Sequence, residues 1–189
     1  MRSREQLIKI VRRSQTYASI ILFVLVFLVC WRFAKLDITE IQLSYWGKSG
    51  WIGFIWNSAV CIFSISIFFN SYLYLSNNNR IKNRRVFYWL FGIVSISLFL
   101  VGFFNMDYRM IHNISAGIYF LLYPLTIFIF SYFNRKYMAY TDWLHTVFIS
   151  VSMTIFPIVM INIFHGMAIA EVVHTILVIL YNIKISRQE

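Results

Sequence analysis

Charge is scarce in this sequence, and so are the residues that break helices or cross-link chains. Only 13% of the 189 residues are Asp, Glu, Lys or Arg, and there are two Pro, seven Gly and two Cys. A soluble domain carries about 25% charged residues, because its surface must face water. With 60% hydrophobic residues and mean hydropathy +0.69, this chain has too little polar surface for a water-soluble globule. The shortage of Pro and Gly excludes collagen-like and low-complexity disordered classes. Cys30 and Cys61 are too few for a disulfide framework and read as packing residues. No long polar stretch separates the apolar runs, so there is no room for a soluble catalytic domain. Any chemistry must sit inside a membrane bundle or at its rim.

What is present is a series of apolar runs. A transmembrane helix needs about 20 mostly apolar residues. Six segments qualify: Tyr17–Phe33, Trp51–Leu75, Val86–Phe104, Ile111–Phe133, Trp143–Phe164 and Met167–Ile183. They are continuously apolar and do not alternate, which favours helices over a barrel. The expected fold is all-α, a six-helix transmembrane bundle over residues 17–183. It is flanked by a basic amphipathic tail, residues 1–16, and a short tail, 184–189. In the first tail, Leu7, Ile10 and Val11 recur at helical spacing among basic residues, the pattern of a segment lying along headgroups. The run Ala18–Val29 is not a lipoprotein signal, because Val29 rather than a small residue precedes Cys30. No small-x-small cleavage site follows it either, so an uncleaved first helix is expected.

Net charge is +10, yet the basic residues sit in short loops. The partner they imply is the anionic headgroup layer and not nucleic acid. All Lys and Arg except Arg32, Lys35, Lys48 and Arg109 fall on the side that carries both termini. The positive-inside rule then places both termini in the cytoplasm, with a bacterial inner membrane as the expected location. The aromatic residues, 20% of the chain, include Trp31, Trp46, Trp51, Trp89, Tyr132, Tyr140 and Trp143 near predicted boundaries, the pattern of an interfacial belt.

Within the spans, small and weakly polar residues mark packing faces. Thr146, Ser150, Thr154 and Asn162 recur in steps of four or eight along the fifth helix. Pro124 and Pro157 are expected to kink the fourth and fifth helices. The first span has almost nothing polar and is expected at the bundle periphery.

Ionisable groups inside a membrane are costly, so each needs a reason. Glu171 and His174 are three residues apart on the sixth span, hence neighbours on one face. At 1.5 Å per residue His174 lies roughly 10–12 Å below the outer boundary. Asp107, His112 and His165 fall at the same outer level, and Asn57 and Asn113 add amides there. Three chemistries are open. His112 and His174 with Glu171 or Asp107 suit zinc with an open water position. His174 oriented by Glu171 suits metal-free acid–base hydrolysis or acyl transfer, with His112 and Asp107 completing the site. A buried carboxylate suits proton-coupled transport. Against these stands a purely structural reading, in which Glu171 locks the outer rim by pairing with Arg109 or a His. A non-catalytic role through a membrane partner or a homo-oligomer also fits the composition.

The stretch Leu43-Ser44-Tyr45-Trp46-Gly47 before the second span, Trp56-Asn57 within it, then Gly102-Phe103-Phe104-Asn105-Met106-Asp107, and His112 followed by Ser115-Ala116-Gly117, resemble the DUF998 group of membrane proteins. That group is similar to the Frag1/DRAM/Sfk1-like proteins. The resemblance implies six membrane helices and an outer-side polar site at Asn57, Asp107 and His112, with no reaction attached. The broader group's eukaryotic members look like lipid-remodelling or trafficking factors, which points to a lipid ligand. The expected activity is binding or remodelling of a lipid or amphiphile in a pocket of Asn57, Asp107, His112, Asn113, His165, Glu171 and His174.

Overall fold

A computed structural model describes residues 2–34, 39, 41–48, 50–164 and 166–188, with the side chains of residues 2–5 left aside. The described residues are helical almost throughout and include no strand. In hydrocarbon every backbone N–H and C=O must be satisfied within the chain, and a helix does this inside each segment. Six helices follow in order: α1 Arg2–Ala34, α2 Gly50–Asn77, α3 Arg84–Phe103, α4 Arg109–Asn134, α5 Tyr140–Ile163 and α6 Ala168–Arg187. Each is long and apolar enough to cross a membrane. Short 3-10 turns, Leu43–Gly47, Met106–Tyr108 and Arg135–Tyr137, fill three of the connections.

Successive helices pack on each other, α6 closes the ring against α1, and α6 also reaches α2 across the centre. Both chain ends therefore lie at one face, here the terminal face. The α1–α2, α3–α4 and α5–α6 connections form the opposite loop face. The outward surface is apolar, as lipid requires: Phe54, Ile96 and Leu121 are among many large exposed hydrophobic residues. The centre is aromatic. Phe87, Tyr123, Phe130 and Tyr181 are almost wholly buried, and Tyr123 meets Tyr181 edge-on at 6.2 Å.

Close approach of α2 and α3 depends on Gly102. A Cβ there would stand 2.9 Å from both the Asn57 backbone oxygen and Cys61 Sγ. Small residues at such contacts let membrane helices approach without a hydrophobic driving force.

Two expectations change. Residues 2–16, expected as a tail apart from the first span, continue α1 without a break. The reason is Arg12, which is buried and donates through Nη2 to the carbonyls of Ser186 at 3.1 Å and Gln188 at 2.5 Å. The start of α1 is thereby tied to the end of α6. The polar steps on α5 do not form one buried face. Thr146 and Ser150 are buried, but Asn162 is exposed and donates to the Ile158 carbonyl of its own helix at 2.7 Å.

Candidate functional site

Two of the loop-face connections lie side by side. Gly166 N–H donates to Thr39 O at 2.7 Å and Ala168 N–H to Ile41 O at 2.8 Å. Two residues further along the first connection, Leu43 donates its N–H to Glu171 Oε2 at 2.7 Å. Glu171 therefore finishes a backbone pairing with its side chain. Held in this way, the turn Leu43–Gly47 buries Leu43, Trp46 and Gly47 in the top of the bundle. Trp46 packs edge-on against Trp56 at 5.1 Å and Phe27 at 5.3 Å. Gly47 is required by the contact below it. A Cβ there would lie 2.2 Å from Asn57 Oδ1, while Asn57 Nδ2 donates to Gly47 O at 3.0 Å.

The two histidines are set by backbone carbonyls. His112, at the start of α4, is buried and bonds through Nδ1 to Phe104 O at 2.8 Å. Phe104 caps α3, so its carbonyl is one of those a helix end leaves without an intrahelical donor. His174 is fully buried and bonds through Nδ1 to Met153 O at 3.2 Å. That carbonyl is orphaned for a different reason. Its helical donor would be residue 157, and Pro157 has no N–H. A carbonyl only accepts, and a neutral imidazole has one N–H, so in each ring Nδ1 carries the proton and Nε2 keeps a lone pair. His174 Nε2 has no partner in the described structure. Its ring sits edge-on to Tyr119 at 5.4 Å and to Phe120 at 4.7 Å.

Two cavities meet at these residues. The larger, about 380 Å³, is lined by Ser44, Asn113, Pro157, Glu171 and His174 among others, and by His112. The smaller, about 70 Å³, is lined by Asn57, Tyr119, Thr175 and again His112 and Glu171. Ser44, His112, Ala116, Phe120 and Glu171 form the wall common to both. On the α4–α5 side the larger cavity is edged by Leu121, 72% exposed, and Ile158, 56% exposed. It thus borders the lipid-facing surface of the bundle.

Of the residues expected at the site, Asn57, His112, Asn113, Glu171 and His174 line these cavities. His165 lies outside the described residues. Asp107 does not join them. It is exposed and turned back on its own loop, where it accepts from Asn105 Nδ2 at 2.9 Å while its N–H donates to Asn105 Oδ1 at 3.1 Å. The expected zinc set of His112, His174 and Glu171, with Asp107 as alternate ligand, is not assembled. Among the described residues no three His, Cys, Asp or Glu side chains gather closely enough to hold an ion. Both rings face carbonyls through Nδ1, and Glu171 is drawn to the Leu43 amide. Among the described residues Glu171 is held by the Leu43 amide, where a pairing with Arg109 or a His was expected.

Sequence reasoning missed Ser44 and Gln42 as cavity residues, and it missed the link between Pro157 and His174. The signal for that link was available: a proline within a span frees the carbonyl four residues earlier, and a buried donor on the neighbouring helix is the natural way to satisfy it.

Six apolar helices of spanning length make this an integral membrane protein. Residues 16–183 match the family described as "Protein of unknown function (DUF998)", and the chain belongs to that family. Neither a curated protein nor a solved structure matches it.

Proposed function

We propose that this protein binds one membrane amphiphile in the larger loop-face cavity. The polar head lies against Ser44, His112, Asn113, Glu171 and His174, and the tail lies between α4 and α5 along Leu121, Pro157 and Ile158. The observation that carries this reading is His174 Nε2, a buried lone pair without a partner in the wall of a cavity that reaches the lipid side. Leaving a buried polar atom unpaired costs about 1–3 kcal/mol, and a bound head group would remove that cost. The volume, about 380 Å³, falls in the range of roughly 300–1,000 Å³ usual for small-molecule sites. The distribution of basic residues supports a reading in which the loop face meets the outer leaflet of a bacterial inner membrane.

Binding is favoured over transport by what lies below the cavity. Tyr119 stacks on Tyr123 at 5.7 Å, and Tyr123 meets Tyr181. This aromatic layer supports a dead-end pocket and not a path across the bilayer.

Native mass spectrometry of protein released from lipid nanodiscs tests the reading. The expected result is one retained amphiphile per chain, lost in Leu121→Trp, which fills the lipid-side edge, and in His174→Phe. If lipid is retained equally by all three proteins, or by none, the reading fails.

A further inference from the structure

The head-group chemistry follows from which atoms the cavity wall still offers, and this inference rests on the binding reading above. We propose that the site selects an uncharged, hydroxyl-bearing head group of the glycerol type and rejects phosphate and carboxylate heads. His112 and His174 both spend their Nδ1–H on backbone carbonyls. Each ring therefore presents Nε2 as an acceptor. Glu171, between the two cavities, offers carboxyl oxygens only, one of them already holding the Leu43 amide. No Lys or Arg lines either cavity among the described residues. Anion sites use Arg or Lys to balance the charge, and among the described residues this wall carries the Glu171 carboxyl instead. A phosphate or carboxylate would lie against those carboxyl oxygens with no cationic side chain beside it.

A hydroxyl head fits this wall in both senses. It donates to His174 Nε2 or His112 Nε2, and its oxygen still accepts from the amides of Gln42 and Asn113, which line the larger cavity, while the Ser44 hydroxyl is spent on Gln42 Oε1. An ammonium head could pair with Glu171, but its full charge would lose its hydration in a cavity lined mostly by apolar side chains, a cost that pairing need not repay.

The test is competition binding in phosphatidylcholine nanodiscs with a matched pair of probes, monooleoylglycerol and its phosphate ester, lysophosphatidate, and with oleylamine as a cationic third. Monooleoylglycerol is expected to bind more tightly than either charged probe by about tenfold or more, the equivalent of one or two net hydrogen bonds. In His174→Phe, which keeps a ring between Tyr119 and Phe120, this margin is expected to shrink to about threefold or less, the loss of one such bond. The wild-type comparison stands even if that variant does not fold. Equal or tighter binding of lysophosphatidate, or of oleylamine, overturns the head-group assignment while leaving the pocket itself intact. Failure of all three probes overturns the pocket reading and this one together.

Discussion

The two ends of the bundle contain similar polar side chains and treat them in opposite ways. At the terminal face and toward the centre, they bond to one another as well as to backbone carbonyls. Asn182 Nδ2 donates to Tyr123 Oη at 2.9 Å, and the backbone oxygen and Oδ1 of Asn182 each accept from Asn70 Nδ2 at 3.0 Å. Lys184 donates to Thr146 Oγ1 at 2.8 Å and to the Asp142 carbonyl, with the Asp142 carboxylate 3.8 Å away. Unpaired atoms do occur there, such as Asn70 Oδ1 and Arg12 Nε, but their residues line neither loop-face cavity. At the loop face, Glu171, His112 and His174 are held by backbone groups beside a cavity. Of the residues with an unpaired buried polar atom, His174 alone lines one of the two cavities. A saturated polar cluster ties helices together, whereas a preorganised and unsaturated one beside empty volume is fit for a ligand.

The comparison is broken most forcefully at the saturated end. Asn182→Leu strips Asn70 of the Oδ1 acceptor, leaving it the backbone carbonyl of residue 182, and strips Tyr123 of a donor. It is expected to cost about 1 kcal/mol, two interhelical bonds at the modest value each has in a membrane. Thermal unfolding in detergent should show a clear fall in midpoint, while the folded fraction keeps its ligand. If ligand binding falls with no loss of stability, the division between the two ends is wrong.

Pro157→Ala sharpens the comparison from the other end. Alanine restores the N–H that recaptures the Met153 carbonyl, so His174 loses the acceptor that fixes its proton on Nδ1. Stability should change by about 1 kcal/mol or less, because one hydrogen bond replaces another. Amphiphile affinity should fall about threefold to tenfold as the ring ceases to be held with Nε2 as acceptor. Nitrogen chemical shifts of the His174 ring, read by NMR, would show the Nδ1–H form in the wild type and a mixture in the variant. An unchanged tautomer would remove Pro157 from the account of the site.

The difference between the ends also explains what could be read from residues alone. The six spans were legible because a bilayer enforces long apolar runs. The level of His112, Glu171 and His174 was legible from helical rise, and their common cavity followed. Partners were not. Glu171 takes a backbone amide from a loop more than a hundred residues away, and no spacing rule encodes that pairing. Arg12 looked like a headgroup contact because its neighbours are basic; its burial depends on the carbonyls that α6 leaves unsatisfied at its last turn. Asp107 looked like a site residue because depth is a one-dimensional measure. It places a residue at a level without saying toward which side of the helix ring it turns.

Asp107 supplies the smallest expected effect and the cleanest control. It shares its level with His112 but is exposed on the Met106–Tyr108 turn, paired with Asn105. Asn105 in turn donates from Nδ2 to the Lys48 carbonyl at 3.1 Å, so the pair steadies the contact between two loops outside the cavity. Asp107→Asn keeps an oxygen acceptor there and removes only exposed charge, so stability should move by no more than about 0.5 kcal/mol. Binding of monooleoylglycerol should be unchanged within error, in contrast to His174→Phe at a similar level in the bundle. A tenfold loss in Asp107→Asn would mean that the pocket extends up through the α3–α4 connection and that the cavity between α4, α5 and α6 is only its lower part.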